Sequence, residues 1–131
     1  MARHVVFVVS SRPARLDVRL ATVRDVGYWP LPAPTIDRAL SLAAKVRPSL
    51  ILIDPELSDG RAIRLVESLR AIPALPEVRI AVLGELTPVE HDAVARDPLV
   101  HVRPILDGNG LRGLLTALLE GRDANSVAPA P

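Results

Sequence analysis

The chain has no cysteine, so it can form no disulfide bond, thiolate nucleophile or cysteine-bound metal site. Aromatic residues make up only 2% of its 131 residues, which leaves a core of Leu, Val, Ile and Ala. The formal net charge is only +1, so bulk charge indicates neither a nucleic-acid partner nor a membrane surface. No apolar run has the length of a signal peptide or a membrane span, and a cytoplasmic protein is therefore expected.

Short apolar runs alternate with helical patterns along the chain, and this alternation is typical of a parallel α/β sheet. Hydrophobic residues make up 49% of the chain, which is enough for the core of one domain. We predict one domain over residues 1–121, followed by a disordered tail or linker stub over residues 122–131. The predicted strands are residues 5–9, an extended stretch within 28–34, and residues 50–53, 80–83 and 99–102. The predicted helices are residues 13–26, 36–47 and 61–71, a short helix from 88, and one from about 109.

The second predicted strand is unusual because its segment, Tyr28–Pro34, contains three prolines. Pro30, Pro32 and Pro34 are spaced two residues apart, so in an extended chain their missing donors all face the same side. The residues between them can then pair inward with a neighbouring strand. We therefore predict an edge strand, or an extended stretch beside the edge, that also discourages edge-to-edge aggregation.

Five strands alternating with five helices predict a flavodoxin-like, doubly wound parallel sheet with strand order 2-1-3-4-5. The proline-containing second strand falls at an edge in that order. Ligands bind to such sheets where the connections reverse, at the carboxyl ends of strands one and three. Ser10 and Ser11 follow strand one and Asp54 follows strand three, so these residues mark the expected site.

The segment Leu50–Gly60, which includes Asp54 and an Asp-Gly turn, resembles the phosphoacceptor strand and loop of response-regulator receiver (CheY-like) domains. The similarity covers roughly residues 4–121 and implies the same flavodoxin-like fold. In that family the aspartate that matches Asp54 takes phosphate from a histidine kinase. The later markers of the family match Gly84 and the pair Arg103-Pro104.

Several positions depart from the family's pattern, and together they predict an atypical, degenerate pseudo-receiver. The acidic pair that helps receivers to hold Mg²⁺ is replaced by Ser10 and Ser11, whose hydroxyls bring no negative charge. Gly84 stands where the family has Ser or Thr, and Arg103 stands where it has Lys. We therefore expect no metal site, no cofactor, no enzymatic activity and no conventional phosphorylation of Asp54.

The retained aspartate needs a different role in such a domain. We hypothesise that Asp54 pairs with Arg103, or bonds to loop amides, and that the ion pair fixes the domain in one conformation. As an alternative, Asp54 is an unconventional phosphoacceptor. In that case either Glu56, which is a further pocket position, or Asp59 would replace a missing metal ligand.

The pocket also allows a different class of function, the binding of a small anion or nucleotide. Ser10, Ser11, Asp54 and Arg103 would supply its polar groups, because hydroxyls and arginines at a helix N-terminus can hold an anion. The competing interpretation of the two serines is a simple helix cap.

The resemblance implies protein partners, either a histidine kinase or an output protein. Receivers commonly pair or dock through the face made by helix four, strand five and helix five, which here spans Thr87–Glu120, so the resemblance also allows a homodimer through this face. Neither a nucleic-acid nor a membrane partner is expected. Acidic residues interrupt the series of arginines, so we interpret these arginines as parts of solvated helix faces and not as a nucleic-acid-binding stripe. They are Arg15, Arg19, Arg61, Arg64, Arg70 and Arg79.

Overall fold

The structure is a computed structural model that describes residues 4–72 and 77–120. The predicted tail over residues 122–131 and the domain boundary at 121 lie outside the described residues. In the part that is described, no helix combines the length and the apolar character that crossing a membrane requires.

The described residues form a five-stranded parallel sheet, a two-stranded hairpin and five helices. The strands are β1 (Val5–Val9), β2 (Trp29–Ala33), β3 (Leu50–Ile53), β4 (Glu56–Leu57), β5 (Gly60–Arg61), β6 (Arg79–Leu83) and β7 (Val100–Arg103). The helices are α1 (Pro13–Asp25), α2 (Ile36–Ala43), α3 (Ala62–Arg70), α4 (Pro88–Val94) and α5 (Gly108–Leu119).

The sheet has the order β2-β1-β3-β6-β7, which confirms the predicted flavodoxin-like order because β6 and β7 are the fourth and fifth predicted strands. The antiparallel hairpin β4–β5 lies between β3 and α3 and was not predicted. Its two strands are only two residues long, too short to produce a detectable alternation of apolar and polar residues.

Apolar side chains cover both faces of the sheet, as the continuous apolar runs of its inner strands require. On one face, alternate strand residues such as Phe7 and Ile51 pack with α2, α3 and α4. On the other face, the intervening residues such as Val8 and Leu52 pack with α1 and α5. Asp54 lies two residues after Leu52, so its side chain is on the same face of the sheet and points towards α1 and α5.

The edge position of β2 is confirmed, and so is the orientation of its prolines. The inward-facing N–H of Trp29 donates to the carbonyl of His4 at 2.9 Å, and the carbonyl of Ala33 accepts from the N–H of Ser10 at 3.1 Å. Pro30 and Pro32 alternate with these residues, opposite Val6 and Val8 of β1. Their missing donors therefore face away from the sheet.

Several element boundaries differ from the prediction by one or more residues, and hydrogen bonds account for two of the differences. Helix α2 ends at Ala43 and not near Arg47, because the N–H of Lys45 bonds to the carbonyl of Leu42 only three residues back and tightens the last turn. Strand β7 begins one residue later than predicted, since the N–H of Val100 is still part of a turn that closes on Asp97.

The helices differ in whether a side chain accepts a hydrogen bond from the backbone N–H groups of the first turn. Thr35, Thr87 and Asp107 each accept a hydrogen bond from the N–H three residues later, and they cap α2, α4 and α5. Helix α1 instead begins after Arg12, whose side chain makes no capping hydrogen bond, and it has Pro13 in its first turn. The interpretation of Ser10 and Ser11 as caps of α1 is therefore wrong.

Candidate functional site

Ser10 and Asp54 meet where β1 and β3 end, at the edge of the sheet predicted to carry the site. The Asp54 N–H donates to the Val9 carbonyl at 3.2 Å, which continues the pairing of the two strands by one step. The Ser10 hydroxyl donates to Oδ2 of Asp54 at 2.6 Å, and both residues are buried. Asp54 is only 2% exposed and is one of the residues that line a cavity of about 230 Å³.

Two arginines of α1 neutralise this buried carboxylate. Nη1 of Arg19 lies 2.7 Å from Oδ1 of Asp54, and Nη1 of Arg15 lies 3.2 Å from the same oxygen. The Arg19 side chain is 4% exposed, whereas that of Arg15 is 28% exposed and lines the cavity. A buried charge needs such partners, because its desolvation would otherwise cost several kcal/mol. Asp54 therefore has donors on both oxygens.

The predicted pairing of Asp54 with Arg103 is wrong. Nη1 of Arg103 donates to the carbonyl of Val102 at 3.0 Å, and the side chain is exposed on the α5 side of β7. The carboxylate is instead occupied by Arg15 and Arg19, because α1 packs on the face of the sheet towards which Asp54 points.

Ser11 joins loops and does not contact Asp54. Its hydroxyl donates to the Pro34 carbonyl at 2.6 Å and accepts from the Ser58 N–H at 2.9 Å. Asp59 caps α2 from the same side, with its carboxylate oxygens accepting from the amides of Ile36 at 2.9 Å and Asp37 at 3.0 Å. Burial raises and these hydrogen bonds lower the pKa of Asp59, and the net result is a lowered pKa.

Glu56 lies at the rim of the cavity, with its side chain 77% exposed. It faces Nη1 of Arg61 at 3.8 Å, and the same arginine makes two hydrogen bonds, at 2.9 and 2.7 Å, to the carboxylate of Glu90. The hydrogen bond from Arg61, together with the Thr87 N–H, lowers the pKa of Glu90 to about 2.

Gly84 is in direct contact with the proline that follows Asp54. Its φ of +143° is a conformation that other residues rarely adopt, and a Cβ built there would lie 2.6 Å from Cγ of Pro55. The Pro55 ring therefore occupies the space into which any side chain at position 84 would point. The site lacks a hydroxyl here because the loop leaves no room for one.

The donor set at this edge does not fit Mg²⁺, the metal that the resemblance implies. Mg²⁺ favours carboxylate oxygens in near-ideal octahedral geometry. Within residues 4–72 and 77–120, no three His, Asp or Glu side chains come together as a metal-binding group. Asp54 already accepts from Ser10, Arg15 and Arg19, and Asp59 is engaged at α2.

The sequence interpretation missed Arg15 and Arg19, which it took as solvated. Their spacing of four residues places them on one face of α1, and Arg19 falls between Leu16 and Val23 in the stripe that packs on the sheet. A charged residue within a buried helical stripe was the signal that could have found them. Its partner could not be identified from the sequence, because the strand order does not show how α1 is rotated over the sheet.

Comparison with known proteins is informative only at the level of structure, since no family model and no curated protein sequence matches the chain. A CheY-like receiver domain from Methanospirillum hungatei JF-1 is similar with a TM-score of 0.79 and 16% identity, over 92% of this chain and 96% of that one. The chemotaxis response regulator CheY4 of Vibrio cholerae gives 0.78 and 20%, over 89% and 99%. The cyanobacterial phytochrome response regulator RcpA gives 0.76 and 16%, over 92% and 97%. The chain therefore has the fold of CheY-like receiver domains.

Proposed function

We propose that the chain is a receiver-type domain of two-component signalling that acts through protein contacts in the cytoplasm, without Mg²⁺-dependent phosphorylation and without enzymatic activity. The observation that carries this proposal is the state of Asp54. Its carboxylate is 2% exposed, one oxygen accepts from Ser10, and the other faces two guanidinium groups. A phosphoacceptor must present a free oxygen to an incoming phosphoryl group, and it works with a metal ion that offsets the developing charge.

The arginines would also work against a divalent cation. Arg15 and Arg19 hold two positive charges within 3.2 Å of the Asp54 carboxylate, so a cation there would meet repulsion from both. The positive charge that compensates Asp54 belongs to Arg15 and Arg19, which are fixed parts of α1. We therefore infer that the domain stays in one conformation and needs no phosphorylation to reach it.

An amide NMR titration of the ¹⁵N-labelled chain tests this proposal. Mg²⁺ is added first and beryllofluoride, a phosphoryl mimic, second, with Asp54→Asn as the control. We expect no saturable shifts around Asp54 from either addition. Saturable shifts that disappear in Asp54→Asn would instead support the alternative, an unconventional phosphoacceptor, and would refute the proposal.

We further propose that the chain pairs with itself through the face Thr87–Glu120. Strand β7 is an edge strand of the sheet, but its N–H at Val100 bonds to Asp97 and its carbonyl at Val102 accepts from Arg103. These two backbone groups are thus not available to an added strand, and we infer that side chains on this face hold the partner.

Two exposed valines on different helices provide a matched test of the pairing. Val89 lies on α4 within the proposed face, and Val18 lies on α1 outside it. In sedimentation equilibrium, we expect Val89→Asp to weaken self-association and Val18→Asp to leave it unchanged. A wild-type chain that stays monomeric at all concentrations would exclude the homodimer and direct the search to an output protein or kinase.

A further inference from the structure

We propose that the cavity between β7 and α5 is a binding site for a small amphipathic acid, a molecule with one carboxylate on a short aromatic or aliphatic body. The cavity has a volume of about 340 Å³ and lies on the α5 side of the sheet. Its walls, as far as the described residues form them, share no residue with the Asp54 cavity. The inference goes beyond the proposed signalling role and does not rest on it.

The edge strand β7 presents basic side chains where the inner strands of the sheet present apolar ones. Val100 and Val102 pack on the face covered by α2, α3 and α4, so the alternate residues point to the face that α5 covers. These alternate residues are His101 and Arg103, and both line the cavity. On β6, the residue paired with His101 is the buried Ala81. Strand β7 therefore brings positive charge next to an apolar helix.

A second guanidinium reaches the cavity from Arg79, at the start of β6. It donates to the carbonyl of Leu118 in the last turn of α5, where helix geometry provides no partner for the carbonyl. Arg103 likewise donates to a carbonyl, that of Val102. Both arginines thus bond to neutral groups, and the described residues that line the cavity include no acid. An anion in the cavity would meet two positive charges.

The acid that acts on His101 is already engaged. The carboxylate of Asp97 accepts from Nε of Arg70 at 2.6 Å and from the N–H of Leu99 at 2.9 Å. Burial lowers the pKa of His101, the two arginines of the cavity lower it further, and together they outweigh the opposing effect of Asp97. His101 is therefore neutral at pH 7. A carboxylate beside it would favour its protonated form.

The opposite wall of the cavity is apolar. Leu114, Ala117 and Leu118 line it from α5, and Pro98 and Leu99 line it from the segment before β7. The volume lies near the lower end of the roughly 300–1,000 Å³ of pockets that hold small ligands. An inorganic anion would leave the apolar wall in contact with water, whereas an apolar body attached to the carboxylate would cover it. The combination of the two walls favours an amphipathic acid.

The test is an NMR titration of the histidine rings with 3-phenylpropionate, which has an aromatic body, and with octanoate, which has an aliphatic one. Acetate supplies the charge without the body, and 3-phenylpropionamide supplies the body without the charge. The chain has three histidines, and His91, exposed on α4, is the internal reference. We expect saturable shifts at His101 and not at His91, with both controls binding about tenfold more weakly or less.

The affinity should also depend on pH. Because a bound carboxylate raises the pKa of His101, binding takes up a proton, and the affinity for 3-phenylpropionate should rise as the pH falls from about 8 to about 6. His101→Gln should remove this dependence on pH. The amide has no charge, so its weak binding should show none.

Two variants test the two walls of the cavity. Arg103→Gln removes an exposed guanidinium whose Nη1 bonds to the adjacent Val102 carbonyl, so the variant is expected to fold. It should weaken binding about tenfold through the loss of a charge-assisted contact. Ala117→Leu fills the apolar side and should weaken binding by about as much. Arg24→Gln and Ala21→Leu, at exposed positions of α1, are the matched controls and should change nothing.

Binding of 3-phenylpropionate no tighter than that of acetate would overturn the proposal, and the basic residues would then serve only to protect the sheet edge. So would an affinity independent of pH, or one that the cavity variants and the α1 controls lower equally. Binding of only one of the two acids would identify the aromatic or the aliphatic class and would support the site.

A further variant separates this site from the proposed pairing of the chain. Val89 is exposed on α4, on the other side of the sheet from the cavity, so Val89→Asp should leave the affinity for 3-phenylpropionate unchanged. Loss of binding in this variant would overturn the proposal of a site within one chain. A monomeric wild-type chain that binds the acid would refute the pairing alone.

Discussion

Asp54 is a buried acid whose neighbours determine what it can do. Ser10 donates to one oxygen, and Arg19 and Arg15 lie on the other. Removing one member of a buried ion pair is more harmful than replacing the whole pair, because the remaining charge is left without compensation. The contribution of Arg19 to stability should therefore be large and should depend on Asp54.

We expect Arg19→Met to lower the free energy of unfolding by about 3 kcal/mol, since Arg15 compensates only in part for the lost buried partner. Urea denaturation measures the change. The double variant Arg19→Met/Asp54→Asn should recover part of the loss, and Arg24→Met should stay within about 0.5 kcal/mol of wild type. A cost for Arg19→Met no larger than that of Arg24→Met would contradict the role assigned to this arginine.

At the residue scale, the sequence indicated the positions of Asp54 and Ser10 but not the two arginines that neutralise the carboxylate. Asp54 could be found because it directly follows an apolar run, and Ser10 because it follows another. Arg19 could not be paired with Asp54, since 35 residues separate them and only the packing of α1 on the sheet brings them together. Arg103 was the wrong choice because its charge does not show which way its side chain turns, and its guanidinium bonds to the Val102 carbonyl.

At the level of elements, β2 is the clearest case of sequence determining position. Its prolines leave no donors on the outer edge, so a second chain cannot extend the sheet there. On the inner side, the N–H groups of Ser10 and Trp29 complete the pairing between β1 and β2.

Restoring donors on this edge should produce assemblies larger than the proposed homodimer. We expect the double variant Pro30→Thr/Pro32→Thr to keep the fold and to form larger species with increasing concentration, because threonine favours strands and carries an N–H. Light scattering after size-exclusion chromatography measures the effect. Pro13→Thr, at an exposed proline that begins α1 and lies outside both β2 and the proposed pairing face, should behave as wild type. A monodisperse double variant would show that the prolines do not protect the edge.

The main elements were predictable because β1, β3 and most of β6 are compact apolar runs followed by a turn signal. The order of the strands followed from their alternation with helices and from the prolines of β2. The hairpin β4–β5 and the early end of α2 were not predictable, since each depends on local hydrogen bonds, such as that from Lys45 to Leu42, that leave no periodic trace.

On the scale of the whole molecule, the end of α5 returns to the start of β2. The hydroxyl of Tyr28 donates to Oε2 of Glu120 at 2.6 Å, and Arg112 lies 3.0 Å from Asp25 at the end of α1. These contacts join residues 92 and 87 positions apart and close the helical layer formed by α1 and α5. Burial, together with the hydrogen bond to and the charge of Glu120, raises the pKa of Tyr28 from 10.0 to about 12.

This shift predicts a loss of stability in alkali. The folded state holds the phenol proton more tightly than the unfolded state, so the contribution is complete below pH 10 and is lost as the pH rises towards 12. Tyr28 is the only tyrosine, so ultraviolet absorbance of the phenolate follows it directly. Glu120→Gln should lower the Tyr28 pKa, because the negative charge beside the hydroxyl is removed. An unchanged titration in Glu120→Gln would contradict this assignment.

The contact of Pro55 with Gly84 constrains how this domain can evolve. A serine or threonine at position 84 would collide with the Pro55 ring and would strain a backbone with φ at +143°, so it becomes tolerable only after the loop has changed. Acids at positions 10 and 11 would gain little while Arg15 and Arg19 still neutralise Asp54. Each step towards a metal-dependent site is thus unfavourable until another has been taken. Proteins that descend from this chain are therefore expected to vary on their surfaces and to retain Gly84, Pro55 and the arginine-paired Asp54.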